Sequence, residues 1–427
     1  MPSVSLPHVI WAGFELGWWQ VIRILFFLLA LLFAVGIFPY LNWRAVLSRR
    51  AMRTTLRVVL QYIFGRRGQR RVLGWRLFYK LRVEVILRSL RPITGISRFP
   101  VARLWVDRES FPRIKKLIRR ARHTVVIQMF IWQDDRLGRE MAEILIDVAD
   151  RGVNVVISKE AVGDVFELHR DFLGTRSDGD AVWKRFWNHP NIRIVYENRN
   201  DHAKVYIIDD RILLLTGMNI AEEYHDEWHD YLVELRGRPF VEHYLTDGDM
   251  PGKAGEARLV MNTGQRKEIR PVVMELLASA RKSIVLEQCY LSDPAVLDAL
   301  IARSHEGIRI VLIMPSDTPV HYYVNMQSIG RLLREGSRKK VSVFLYPRLV
   351  HGKIILVDRE RAFIGSANLM ASSLDEMGEV NVLLEGRMHS AIRKLRETLR
   401  KDILQSAPMS RPPRFQWLWR WMTWFKL

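Results

Sequence analysis

Two strings in the chain set a histidine beside a lysine at one spacing and close on an aspartate: His202-x-Lys204-x4-Asp209 and His351-x-Lys353-x4-Asp358. The register continues downstream. Asn219 and Asn368 each lie 17 residues after their histidine, and Asp230 and Glu379 each lie 28 after it. Two complete strings in register read as a duplicated unit that builds one site. Two imidazoles, two ammonium groups and two amides around one point suit a phosphodiester anion. Lysine and asparagine would stabilise charge as it builds on the non-bridging oxygens. One imidazole can attack phosphorus while the other protonates the leaving oxygen, so displacement divides into two steps through a phosphohistidine. These roles need one neutral and one charged ring. Asp230 and Glu379 can hold the rings and fix their tautomers. In the second step an alcohol or water attacks.

The elements that must position these residues are also doubled. Val125–Ile131 and Ile284–Leu291 are apolar and strand-like, and a helical stretch follows each. A second strand then enters through glycine, at Arg151–Ile157 and at Glu306–Ile313. This predicts strand–helix–strand units in a mixed α/β sheet. The strands Ile192–Tyr196 and Val341–Tyr346 each lead to a His-x-Lys, whose two side chains project together from extended backbone. Ala203, Val205 and Ile207, with Ile354 and Leu356, are expected to face the other layer. Each Asn follows a hydrophobic strand and a glycine, which places it in a strand-end turn.

Other candidates are weaker. His225 and His229 are spaced i, i+4 but lack the acid directly after the first histidine and a third ligand in register. No cluster shows metal-ligand spacing, so neither metal nor cofactor is expected. No G-x-S-x-G elbow accompanies Ser366, which excludes a hydrolase triad. Cys289 is the single cysteine, so no intrachain disulfide forms, and its apolar strand places it in the core.

The 427 residues carry 66 Lys+Arg against 46 Asp+Glu, a net charge of +20. Residues 44–122 hold 23 bases and three acids, the whole surplus, whereas residues 123–386 are net −8. Between Ile24 and Trp43 no charged residue occurs for 20 residues, long enough for a helix to span a bilayer. Trp18, Trp19, Tyr40 and Trp43 flank it, and the arginines that follow predict a cytoplasmic C-terminal part. Gly74–Arg91 and Arg414–Leu427 mix bases with apolar or indole side chains, as expected beside anionic headgroups.

The paired strings, each with its Asn and acid, resemble the phospholipase D superfamily. Within it, GMNIAEEY (Gly217–Tyr224), WHDYLVELRG (Trp228–Gly237) and GSANLMASSL (Gly365–Leu374) are similar to bacterial cardiolipin synthases. The resemblance implies two pseudo-symmetric α/β halves sharing one active site, behind an N-terminal transmembrane helix. It implies a catalytic set of His202, Lys204 and Asp209 with His351, Lys353 and Asp358, in which His202 attacks first. Lys204, Lys353, Asn219, Asn368 and Ser366 are then phosphate-binding, Asp230 and Glu379 orient the histidines, and Asp209 and Asp358 complete the motifs and brace strand ends. The expected division is an anchor at 1–43, a basic juxtamembrane region at 44–100, repeats at 101–240 and 264–390, a linker at 241–263, and a basic aromatic tail at 391–427. Phosphatidyl transfer from phosphatidylglycerol to a second phospholipid is the leading expectation, ahead of hydrolysis by water and a membrane-tethered nuclease. An acidic catalytic body behind basic flanks favours an anionic phospholipid membrane over nucleic acid as partner, and the resemblance implies that this is the bacterial inner membrane. Oligomeric state is left open.

Overall fold

The computed structural model describes residue 86 and residues 101–160, 181–197, 200–246, 257–318, 320–386 and 389–412. The expected span, the basic region (Ile86 apart) and the tryptophan-rich end at 414–427 lie outside the described residues. No described helix is long and apolar enough to cross a membrane.

The first sheet contains β1 (Ala102–Val106), β2 (Thr124–Met129), β3 (Asn154–Glu160), β4 (Ile192–Glu197), β5 (Lys204–Ile208), β6 (Ile212–Thr216) and β7 (Tyr231–Arg236). Their order is β1-β7-β6-β5-β2-β3-β4. The second contains β8 (Ala257–Asn262), β9 (Ser283–Gln288), β10 (Arg309–Pro315), β11 (Val341–Tyr346), β12 (Lys353–Val357), β13 (Arg361–Gly365), β14 (Glu379–Glu385) and β15 (Ala407–Met409). Its order, β15-β11-β10-β9-β12-β13-β14-β8, is the first read backwards with one strand added. In each sheet three strands run parallel (β2-β3-β4 and β9-β10-β11) and the rest pair antiparallel.

The sequence reasons for this are local. The helix Arg136–Asp150 connects β2 to β3 and buries Leu137, Met141, Ile144, Leu145 and Val148 at helical spacing. Asp135 caps it, accepting from Gly138 N at 2.8 Å. In the second half Asp293 caps Pro294–His305 in the same way, accepting from Val296 N at 2.9 Å. The central strands β5 and β12 are buried at every residue. Tyr206 and Ile208 turn to the helix-covered core, while Val205 and Ile207 alternate to the opposite face. Ile355 and Val357 do the same in the second half, with Ile354 and Leu356 opposite. Burial of each such side chain stabilises the fold by about 1.5–3 kcal/mol.

Two expected boundaries are corrected. The interval 241–263 is more than a linker. It holds the end of the helix Arg238–Thr246, and β8 pairs with β14 as the edge strand of the second sheet. The interval 391–427 begins inside the helix Ser390–Gln405, which packs on β1 of one sheet and β11 of the other, and β15 pairs with β11. Both differences arise because these elements are stabilised by partners far away in sequence.

Candidate active site

The two histidines stand just ahead of β5 and β12, where the halves exchange backbone hydrogen bonds. His202 N donates to Gly378 O at 2.8 Å, and Gly378 N donates to Asn200 O at 2.9 Å. Reciprocally, His229 N donates to Leu349 O at 2.8 Å, and His351 N donates to His229 O at 2.7 Å. The lead-in to β14 therefore lies along the lead-in to β5, and the lead-in to β7 along that to β12. No side chain fits at Gly378, where a Cβ would meet Asp201 Cγ at 2.7 Å.

This exchange decides which acid serves which ring. His202 Nδ1 lies 3.2 Å from Glu379 Oε1, and His351 Nδ1 lies 2.7 Å from Asp230 Oδ2 and 3.0 Å from Lys353 Nζ. Each half supplies the carboxylate for the other half's histidine, so neither half holds a complete dyad. With Nδ1 engaged, Nε2 is left to face a substrate, and neither Nε2 has a hydrogen-bond partner among the described residues. Edge-on rings flank both histidines, Phe130 at 5.1 Å from His202 and Tyr224 at 5.2 Å from His351, with Trp228 at 5.3 Å on the second.

Lys204 and Lys353 are fully buried, and each Nζ donates to the carbonyl of its own histidine, at 2.6 Å for Lys204. Burial pushes Lys204 down to about 7 and lowers Lys353 as well. Burial and the Lys204 charge lower His202. Burial, then Lys353, Lys204 and His202, hold His351 well below the ordinary imidazole value. The carboxyls diverge. Burial raises Asp230 to about 7, whereas His202 and Lys204 overcome burial and hold Glu379 below its usual range. Burial thus works against the charged forms of both lysines and both histidines, and a bound anion would work for them.

Other expected residues fall into distinct places. Asn219 is committed: its Oδ1 accepts from Ile131 N at 3.0 Å and its Nδ2 donates to Tyr224 Oη at 2.8 Å. Asn368 is buried with Oδ1 unpartnered among the described residues. Ser366, expected on phosphate, is corrected. Its hydroxyl accepts from Val380 N at 3.0 Å and also bonds Glu379, so it supports the carboxylate from behind. Half one has Gly217 at this position because a Cβ there would meet Asp230 Oδ2 at 2.6 Å. Asp209 and Asp358 are corrected from the catalytic set, since they sit beyond the far ends of β5 and β12. Asp209 accepts from the backbone of Arg122, His123 and Thr124, and Asp358 from that of Arg281, Lys282 and Ser283. The sequence pattern did not single out Phe130, Tyr224 and Trp228; the only signal was that Tyr224 and Trp228 fall inside the strings that carried the resemblance.

Twin sheets that trade carboxylates across paired His-x-Lys strings build one two-histidine site. A family model described as "Cardiolipin synthase, PLD-like domain" matches residues 114–247 and 273–403. The chain belongs to this phospholipase D-like family. Cardiolipin synthase 2 of Bacillus cereus is 30% identical, with 70% of this chain and 63% of that protein covered. Cardiolipin synthase B of Escherichia coli K12 is 27% identical over 65% of this chain and 75% of its own. The chain thus spans 63% of the length of the Bacillus relative. The crystal structure of phosphatidylserine synthase from Haemophilus influenzae shares the fold, with a TM-score of 0.60, 15% identity, and 81% and 97% of the two chains covered.

Proposed function

We propose that this chain is a membrane-bound phosphatidyltransferase that moves the phosphatidyl group of phosphatidylglycerol to the headgroup of a second phospholipid. The observation that carries the reading is the pair of exchanged dyads, His202–Glu379 and His351–Asp230, each with a buried lysine bonded to the backbone carbonyl of its histidine. In the first step His202 Nε2 attacks phosphorus, and the bond from phosphorus to the glycerol oxygen breaks. His351 Nε2 gives that oxygen its proton and glycerol leaves. Glu379, held ionised, stabilises the positive charge that develops on the His202 ring. In the second step a headgroup hydroxyl of another phosphatidylglycerol returns its proton to His351 and attacks phosphorus. The phosphorus–nitrogen bond then breaks and cardiolipin is released. Lys204, Lys353 and the Asn368 amide neutralise the non-bridging oxygens. Residues 24–43 anchor the chain, and the bases at 44–122 and 414–427 hold the site against an anionic bilayer.

The test supplies the purified full chain with labelled phosphatidylglycerol in mixed micelles and resolves the products. Cardiolipin with equimolar glycerol is expected. Phosphatidic acid as sole product would identify a hydrolase, and cleaved DNA with no lipid product would overturn the lipid reading.

A further inference from the structure

Behind the His351–Asp230 dyad lies a second buried cluster that the phosphodiester chemistry does not use. His229 on the lead-in to β7, Glu287 on β9 and Asp402 on the helix Ser390–Gln405 come from three separate parts of the chain. They are 1%, 0% and 3% exposed, and their ligand atoms lie within 4.8 Å of one another. We propose that these three residues bind one divalent cation of zinc type, which bolts the first half, the second half and the C-terminal helix together.

The two nitrogens of His229 argue for this. Nδ1 makes a short contact with Asp107 Oδ1, 2.6 Å, and Asp107 in turn pairs with Arg348 at 2.6 Å. A carboxylate behind the distal nitrogen is the usual way a metal-binding imidazole is oriented and its tautomer fixed. With Nδ1 engaged by Asp107, Nε2 is the nitrogen that faces the cluster. Nε2 pairs with Glu287 Oε1 at 3.3 Å and with Asp402 Oδ2 at 3.5 Å, both long separations for an ion pair of this kind. A charged imidazolium donating to a carboxylate would close to about 2.7–2.9 Å. Ligands held at 2.0–2.2 Å around a tetrahedral zinc instead stand about 3.3–3.5 Å apart. The Tyr231 hydroxyl, 3.1 Å from Nε2, donates to Glu287 Oε1 at 2.7 Å and fixes that carboxylate in place.

Charge points the same way. Arg348 answers Asp107, but Glu287 Oε2 and Asp402 Oδ2 are buried with no hydrogen-bond partner. Glu287 and Asp402 then share one imidazole, with the Tyr231 hydroxyl on Glu287 alone, and burying two carboxylates against one cation is costly. A dication at the centre supplies the missing positive charge. One nitrogen and carboxylate oxygens suit zinc better than a softer or an all-oxygen ion. The sequence could not display the set, because its members are separated by 58 and 115 residues.

The test uses the full chain in detergent, purified without chelator and again after stripping with chelator and reloading with zinc chloride. One zinc per chain is expected in the reloaded protein after gel filtration, with an X-ray absorption edge fitted by nitrogen and oxygen neighbours. The thermal midpoint should rise with zinc concentration. His229→Leu and Asp402→Asn should each lower the bound zinc at least tenfold. Folded wild-type protein that retains less than 0.1 zinc per chain would overturn the proposal, as would full stoichiometry in both variants. Zinc content is read without any lipid substrate, so its failure is separate from failure of the transferase reading.

Discussion

The two dyads have the same plan and opposite surroundings. In His202–Glu379 the carboxylate is held ionised, backed by the Ser366 hydroxyl, and the ring meets Phe130. In His351–Asp230 the contact is shorter, 2.7 Å against 3.2 Å, Gly217 makes room behind the carboxylate, and Tyr224 and Trp228 enclose the ring. Duplication supplied two equal histidines. The residues behind them differ, in keeping with the proposed roles of one ring as a bare nucleophile and the other as a proton carrier.

The sharpest way to break this comparison is to remove each ring in turn. His202→Ala and His351→Ala should each reduce turnover on the order of 10⁴-fold or more. They should differ in one assay. With a substrate whose leaving group needs no proton, His351→Ala should still accumulate phosphate label on the protein, and His202→Ala should not. Equal labelling of both variants would exchange or merge the two roles.

Lys204 separates chemistry from stability. Lys204→Met should lower kcat/KM by about 10²–10³-fold, as for loss of one donor to transition-state charge. It should also stabilise the fold by on the order of a few kcal/mol at pH 7, because a fully buried ammonium is removed. The sign follows from the depressed value. The unfolded lysine titrates near 10.5 and the folded one at about 7, so between these the unfolded chain binds more protons. Wild-type stability therefore gains as pH rises through that window, and its deficit relative to Lys204→Met should narrow from pH 7 to pH 9. Urea midpoints at the two pH values check this. A constant gap would mean that Lys204 is not the group titrating.

Position 217/366 tests the divergence directly. Gly217→Ala drives a Cβ into Asp230 Oδ2, so it should cost about 1–3 kcal/mol and disturb the His351 dyad. Ser366→Ala removes hydrogen bonds from Glu379 and Val380 without adding bulk, and should cost about 1 kcal/mol. Turnover should fall about tenfold more in Gly217→Ala than in Ser366→Ala. The reverse order would show that the room behind Asp230 is not what distinguishes the halves.

Much of this was legible in the chain itself. Alternating apolar runs and the doubled register of His, Lys, Asn and acid revealed two α/β halves and the residues around one site, because those signals are local or repeat. Three features were not. A spacing of 28 residues ties Asp230 to His202 and Glu379 to His351 on paper, whereas the halves exchange lead-in strands and each acid serves the opposite ring. The edge strand Ala257–Asn262 lies in a Pro- and Gly-rich interval and is held by its register with β14, more than 100 residues away. Ser366 looked like a phosphate donor because hydroxyls next to such sites often are, and only the backbone of Val380 shows where it points.

The smallest expected effects belong to the aspartates that close the two strings. Each adopts a left-handed backbone, φ 52° at both Asp209 and Asp358, and gathers three successive amides of the loop that opens β2 or β9. Loss of those acceptors costs about 1–3 kcal/mol, and alanine in the left-handed region adds roughly 1 more. Asparagine tolerates that backbone and keeps one acceptor oxygen, so Asp209→Asn and Asp358→Asn should each cost only about 1 kcal/mol. In urea titrations the alanine variants should therefore unfold earlier than the asparagine variants. All four should retain kcat within about threefold wherever they are folded, because their strands still carry the lysine and histidine to the same place. A large kcat loss in folded Asp209→Asn would return that aspartate to the catalytic machinery, and loss in one half alone would reopen the comparison between the halves.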